Sequence, residues 1–403
     1  MTSLEDVKAR IDGVVEQYAD VLLDASHRIH ERPELGFEEH YAHDVLTTVL
    51  TDAGLDVTRS AYGLETAFEA RAGSGGPVVA VLCEYDALPG IGHACGHNVI
   101  GTAGVGAGIA AAAVAEELGG TVVVLGTPAE EGGGGKIVMA ERGAFDGVDA
   151  ALMVHPAGLD LTRFGAIAIQ QLKMTYRGRA AHAAAAPQAG RNALDAAVLG
   201  YVNVAALRQH IRPDERVHGI FTEAGEAPNV VPELASTTWY VRSPTVRGLE
   251  KLKTRVLACL EAGATAAGCS VEHEWIDPAF ANMVDNAPMI DLYTANLART
   301  GRSVVDPSSI DGIVGSTDMG NVSHIVASIH PMIAVSPPSV AIHTQDFVRY
   351  ARGPEGDKAV LDGARAMAAT VADLWADPAA LDRVKAAFAS AREEGLATGR
   401  ATV

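Results

Sequence analysis

Cysteine is scarce in this chain: four among 403 residues, at positions 83, 95, 259 and 269. So few thiols argue against a disulfide framework and for reduced cysteines, which places the expected home of the protein in the cytoplasm. Basic residues are also short, 31 against 50 acidic ones, for a net charge of −19. That balance speaks against nucleic acid as a partner, since phosphates demand clustered Lys and Arg. It speaks equally against docking on an anionic membrane. Long apolar runs are missing too. The most apolar stretch, residues 99–115, consists mainly of Gly and Ala and falls short of the ~20 residues that cross a bilayer. A buried helix packed close to a sheet is expected there. The start, Met1-Thr2-Ser3-Leu4-Glu5-Asp6, has neither the basic nor the apolar part of a secretory leader, so none is expected. There is no internal repeat and no low-complexity linker. What remains is 48% hydrophobic, a globular composition with enough chain for two domains.

What the chain does have is a dense polar stretch, Cys83-Glu84-Tyr85-Asp86-Ala87-Leu88-Pro89-Gly90-Ile91-Gly92-His93-Ala94-Cys95-Gly96-His97-Asn98. Holding acids, imidazoles and thiols together costs free energy unless something compensates them, and a divalent metal does this well. Gly96 lets the backbone turn so that Cys95 and His97 can converge. Elsewhere, apolar segments lead into further metal-capable residues. The run 121–125 reads as a buried strand and delivers Glu130-Glu131. The run 150–154 leads into His155, and the runs 333–335 and 341–342 lead into His343. Acids and histidines at strand ends suit a site at the carboxyl edge of an open α/β sheet. A zinc finger would need close paired spacings that this chain lacks.

Cys95, His97, Glu131, His155 and His343 exceed the three or so protein ligands of a single catalytic zinc. They suit two ions sharing a bridging ligand, for which the Cys95 thiolate has the right chemistry. Glu130 is left over and fits a general base. The glycine run 132–135 before Lys136 fails the phosphate-loop pattern, because Ile137 stands where Ser or Thr is needed.

Along the chain, residues 5–30 and 37–53 have helical spacing, followed by strands near 55–60, 64–71 and 77–83. A helix then covers the 99–118 region and a strand 121–126. Strands alternating with helices predict an α/β catalytic domain whose mostly parallel sheet carries helices on both faces. The order then becomes strand 165–176, helix 191–208, strands 218–224 and 235–242, helix 246–266, strand 269–275. That β-α-β-β-α-β order predicts an inserted α+β ferredoxin-like unit. The expected boundaries are 1–168 and 283–403 for the catalytic domain and 169–282 for the insert. From 378 onward an exposed, fraying helix is expected.

The His-Ala-Cys-Gly-His-Asn run, the Thr-Pro-Ala-Glu-Glu-Gly run, His155-Pro156 and the early Arg-Ile-His-Glu-Arg-Pro-Glu-Leu-Gly-Phe segment carry a resemblance. The chain resembles the dinuclear metallopeptidases and amidohydrolases that include aminoacylases, carboxypeptidase G and indole-acetyl-amino-acid hydrolases, over about residues 25–375. The segments Glu84–Pro89 and Gly315–Met319 resemble most the p-aminobenzoyl-glutamate hydrolase and aminoacylase-like dipeptidase subgroup. The resemblance implies two divalent ions, zinc or manganese with cobalt as an alternative, held by Cys95, His97, Glu131, His155 and His343, with Glu130 as base. It implies cleavage of the amide bond of a small N-acyl amino acid or dipeptide. It also implies a homodimer formed through the insert, with His182 stabilising the oxyanion at the partner's site, and Asn229 and Arg242 as weaker candidates for substrate binding. The chain departs from the carboxypeptidase-like members, which carry His-x-Asp where it has Glu84-Tyr85-Asp86. Two other readings stand beside this one: a thiol hydrolase using Cys95 with His97 as base, and a non-catalytic metal-dependent binding protein.

Overall fold

The computed structural model describes residues 3–163, 165–305 and 314–402. The chain divides into two compact units, one made of Met1–Gly165 and Met283–Ala401, the other of Ala166–Asn282.

The first unit is built on a six-stranded sheet. Its strands are β1 (Asp56–Arg59), β2 (Phe68–Ala72), β3 (Val78–Cys83), β4 (Thr121–Gly126), β5 (Ala150–Leu152) and the short strand Ser328–Ile329, in spatial order β1-β2-β4-β3-β5-(328–329). β4 with β3, β3 with β5, and β5 with 328–329 are parallel, while β1 and β2 add an antiparallel edge. The central strands are apolar at nearly every position because both faces are covered. Val79, Val81, Val122, Val124 and Leu152 join one core with helices His97–Leu118 and Pro354–Ala376. Their neighbours Ala80, Leu82, Val123, Leu125 and Ala151 join another with Met139 and Met319.

The helix over residues 97–118 bears out the expected burial against the sheet and corrects only the expected length. It spans 22 residues and is apolar enough to cross a membrane by length and composition alone, yet 89% of its apolar window is buried inside the protein. Glycines make that burial possible. A Cβ on Gly104 would lie 2.5 Å from Cys83 Sγ, and one on Gly108 would lie 2.1 Å from Val124 Cγ2. Three boundaries also differ from the periodicity. The first helical stretch breaks at Tyr18 into Leu4–Gln17 and Ala19–Glu31. Residues 61–63 form a 3-10 turn, so β2 begins only at Phe68. The C-terminal helix Pro378–Glu393 is anchored rather than fraying, with Ala380, Leu381 and Val384 buried.

The second unit is an antiparallel four-stranded sheet in spatial order 270–280, 168–177, 234–243, 216–223. Helices Ala193–Leu207 and Val246–Ala267 supply Ala196, Ala197, Val204, Leu252, Val256 and Leu260 to a core with Leu172, Met174, Tyr176, Trp239 and Val241. In chain order this is the ferredoxin-like β-α-β-β-α-β arrangement.

Candidate active site

Glu84, Tyr85 and Asp86 leave the carboxyl end of β3, and Glu130 and Glu131 follow the end of its parallel neighbour β4. A staple fixes the two strand ends: Thr127 donates its N–H and its hydroxyl to the Cys83 carbonyl at 2.8 and 3.0 Å. Ala129 then takes a left-handed conformation, φ 57°, which is uncommon for a residue with a Cβ. The buried Glu39 holds it there by accepting the Ala129 N–H at 2.8 Å. Glu39 itself is pushed up to about 7, by burial first and then by the charge of Asp86.

Gly96 has φ 77°, and a Cβ on it would lie 2.9 Å from Pro156. That close approach, which only glycine allows, draws the Cys95–His97 turn onto the segment of His155. Cys95 Sγ lies 3.3 Å from His155 Nε2. Of the two ring nitrogens of His155, Nδ1 donates to the Pro156 carbonyl at 2.8 Å, which leaves Nε2 as the lone-pair nitrogen. His97 Nδ1 lies 2.9 Å from Asp86 Oδ1, so its Nε2 also points at the cluster. The second oxygen of Asp86 accepts the Glu131 N–H at 3.0 Å. His343, half exposed and with φ 63°, places Nε2 3.4 Å from Glu131 Oε1.

The ligand-capable atoms of Cys95, His97 and His155 all lie within 4.8 Å of one another, and so do those of Cys95, Glu131 and His343. Cys95 belongs to both groups. The five residues singled out from the sequence are thus brought together. Glu130 stands beside them, its carboxylate 3.9 Å from His97 Nε2.

The electrostatics match a cation site. Among the described residues, His97 Nε2 and Glu131 Oε1 are buried with no hydrogen-bond partner, an arrangement that costs free energy unless a ligand uses those atoms. Burial, then Glu84 and Asp318, push the Glu130 carboxyl well above its usual range. Burial would raise Glu131 too, but His343 and His97 hold it below. Burial lowers His155 to about 4 and pushes the Cys95 thiol up. The donor set of one thiol, three imidazoles and one carboxylate fits a divalent transition metal.

Two imidazoles, those of His97 and His155, lie close to Cys95. Burial pushes the Cys95 thiol up and so favours its un-ionised form, which is the wrong state for a nucleophile.

His182, Asn229 and Arg242 lie in the second unit. His182 and Asn229 are neighbours: Ala183 N–H donates to the Asn229 carbonyl at 3.0 Å, and His182 Nδ1 accepts from Ala184 and Ala185. Arg242 is half-buried, with its guanidinium 5.7 Å from the Tyr240 ring; among the described residues its buried Nε has no hydrogen-bond partner.

Sequence reasoning assigned no role to three buried residues here, Glu84, Lys136 and Asp318, which form an ion-paired group. For Glu84 the signal was present: it is a charged residue directly after a buried strand. The buried His93 places Nε2 3.2 Å from the Ile29 carbonyl.

The family model described as Peptidase family M20/M25/M40 matches residues 80–373. The chain belongs to this peptidase family. This M20 peptidase is 38% identical to the Xaa-Arg dipeptidase of Mus musculus over 400 residues, covering 96% of the chain and 93% of that protein. It is 32% identical to one subunit of the p-aminobenzoyl-glutamate hydrolase of Escherichia coli, covering 93% of each. In fold it matches the crystal structure of a Bacillus subtilis dinuclear metal binding peptidase of the M20 family, with a TM-score of 0.69 at 20% identity over 88% of the chain and 98% of that structure. The family and subgroup expected from the motifs are thereby borne out, and the protein is a hydrolase of amide bonds.

Proposed function

We propose that this M20 peptidase cleaves the amide bond of a small N-acyl amino acid or dipeptide with the help of two divalent cations, zinc or manganese in the first instance. The observation that carries the reading is the membership of Cys95 in two ligand groups, one with His97 and His155, the other with Glu131 and His343. Two ions when bound would polarise the scissile carbonyl and acidify a water.

The chain's own residues do the rest. Asp86 and the Pro156 carbonyl orient His97 and His155. Glu131 is kept ionised by its histidine neighbours. Glu130, the buried acid outside the two groups, takes a proton from the attacking water at its carboxylate and passes it to the leaving nitrogen. In the dimer proposed below, His182 would serve the partner's site as donor to the oxyanion, and Asn229 and Arg242 are proposed to meet the substrate, Arg242 through a carboxylate.

We propose a homodimer as well. The strand Arg216–Glu223 is an open sheet edge that exposes Ile220 (65%) and Phe221, and the helix Ala193–Leu207 exposes Val198 and Val202. Such edges invite pairing. Sedimentation of an Ile220→Glu variant is expected to show a monomer; an unchanged dimer would remove this face from consideration.

The decisive experiment strips the protein with a chelator and restores it with zinc or manganese while following hydrolysis of dipeptides and N-acyl amino acids. Glu130→Gln is expected to keep both ions and lose about 10²–10⁴-fold in kcat. Turnover unaffected by the chelator, or a fully active Glu130→Gln, would refute the reading.

A further inference from the structure

Lys136 takes no part in the chemistry above, yet its side chain is among the largest that are fully buried. It sits at the start of the helix Gly135–Glu141. Gly135 makes this placement possible, since a Cβ there would lie 1.9 Å from the Pro128 carbonyl. Lys136 Nζ is 2.5 Å from Glu84 Oε1 and 2.6 Å from Asp318 Oδ1, and its backbone N–H donates to Asp318 Oδ2 at 3.0 Å. Both carboxylates are fully buried. Glu84 turns its other oxygen the opposite way: Oε2 lies 3.5 Å from His97 Nε2. Glu84, His97 and Glu130 together form a third group whose ligand-capable atoms lie within 4.8 Å.

The acids at this point therefore exceed the need of two ions. Glu84, Asp318 and Glu130 are three buried carboxyl groups, and the ammonium of Lys136 stands between the first two. Removing one partner of a buried ion group strands the others without compensation. Stranded carboxylates in a cage of this size are what divalent cations bind.

We propose that Lys136 is a positioning residue that serves as a permanent internal cation: its ammonium fills the place between Glu84 and Asp318, keeps a divalent ion out of it, and fixes Glu84 beside His97 and Glu130. The consequence for Glu130 rests on the hydrolytic reading. The occupancy of the carboxylate cage does not.

The test counts ions. Wild type and Lys136→Met are dialysed against manganese or zinc and analysed for metal per chain. One ion more in the variant than in wild type is expected, whatever the wild-type number; equal counts overturn the proposal. The triple variant Lys136→Met, Glu84→Gln, Asp318→Asn is expected to return to the wild-type count, and an extra ion retained there overturns it too. A Lys136→Met chain that folds only with a divalent ion supplied supports the proposal. One rescued neither by the ion nor by neutralising Glu84 and Asp318 sinks it. A wild type that binds no ion at all would defeat the hydrolytic reading alone, because the difference between wild type and variant remains measurable.

Discussion

Asp86 and His97 form a fully buried pair, Oδ1 to Nδ1 at 2.9 Å, and the same carboxylate accepts the Glu131 N–H through its other oxygen. One acid thus sets the direction of two proposed ligands, an imidazole and the backbone that carries a carboxylate. Partners of this kind are worth about 10–100-fold in metal affinity. Asp86→Asn is expected to weaken metal binding by that factor, as read by calorimetric titration of chelator-stripped protein. Affinity within about twofold of wild type would reduce Asp86 to a turn cap.

Cys95 is the residue common to both ligand groups. Cys95→Ser is expected to hold fewer than two tightly bound ions per chain, as counted by metal analysis after dialysis. If serine leaves two ions in place with unchanged affinity, the shared-ligand role fails.

Glu39 gives the metal-free protein a pH dependence whose sign is fixed. Its carboxyl is raised to about 7 in the fold against 4.5 unperturbed, by burial and then by Asp86. Between those values the folded state holds the proton more tightly than the unfolded one, so this contribution to stability is complete below pH 4.5 and fades as pH rises through 7. The shift corresponds to a loss of about 3 kcal/mol. Urea unfolding of chelated wild type and Glu39→Gln at about pH 5 and about pH 8 checks it: the wild type is expected to lose more stability across that interval. Parallel pH dependences would contradict the assignment.

Gly108 sets helix propensity against packing. Alanine would gain about 1 kcal/mol in a helix interior. Its Cβ, however, would come within 2.1 Å of Val124 Cγ2 on the central strand β4, and overpacking of this kind costs about 1–3 kcal/mol. Gly108→Ala is expected to lower the melting temperature, and a rise would mean that helix and sheet can separate at little cost.

Much of the candidate site was legible because its residues stand where buried strands end. Glu130-Glu131 follows Thr121–Gly126, and His155 follows Ala150–Leu152. A charged residue directly after an unbroken apolar run is informative without coordinates, since the sheet carries it to one edge. The β-α-β-β-α-β order of the second unit was legible for a similar reason: alternation and helical period change at its turns. Lys136 was not legible. At the start of a helical pattern after four glycines, it invites comparison only with a phosphate loop, whose pattern it fails. Its burial depends on Glu84 and Asp318, which lie 52 residues before it and 182 after it.

By itself, then, the sequence determined the element types, the unit order and the inventory of ligand-capable side chains, because these follow from local periodicity and local chemistry. Only the tertiary structure decided the rest. It determined that Gly104 and Gly108 of the 97–118 helix face Cys83 and Val124, since which strands a buried helix meets depends on long-range order. It determined that Cys95 faces His155 and that Asp86 orients His97, since those contacts depend on strand order and on the close approach at Gly96. And it determined that one lysine is buried among acids, since the compensation of a buried charge is a property of long-range neighbours.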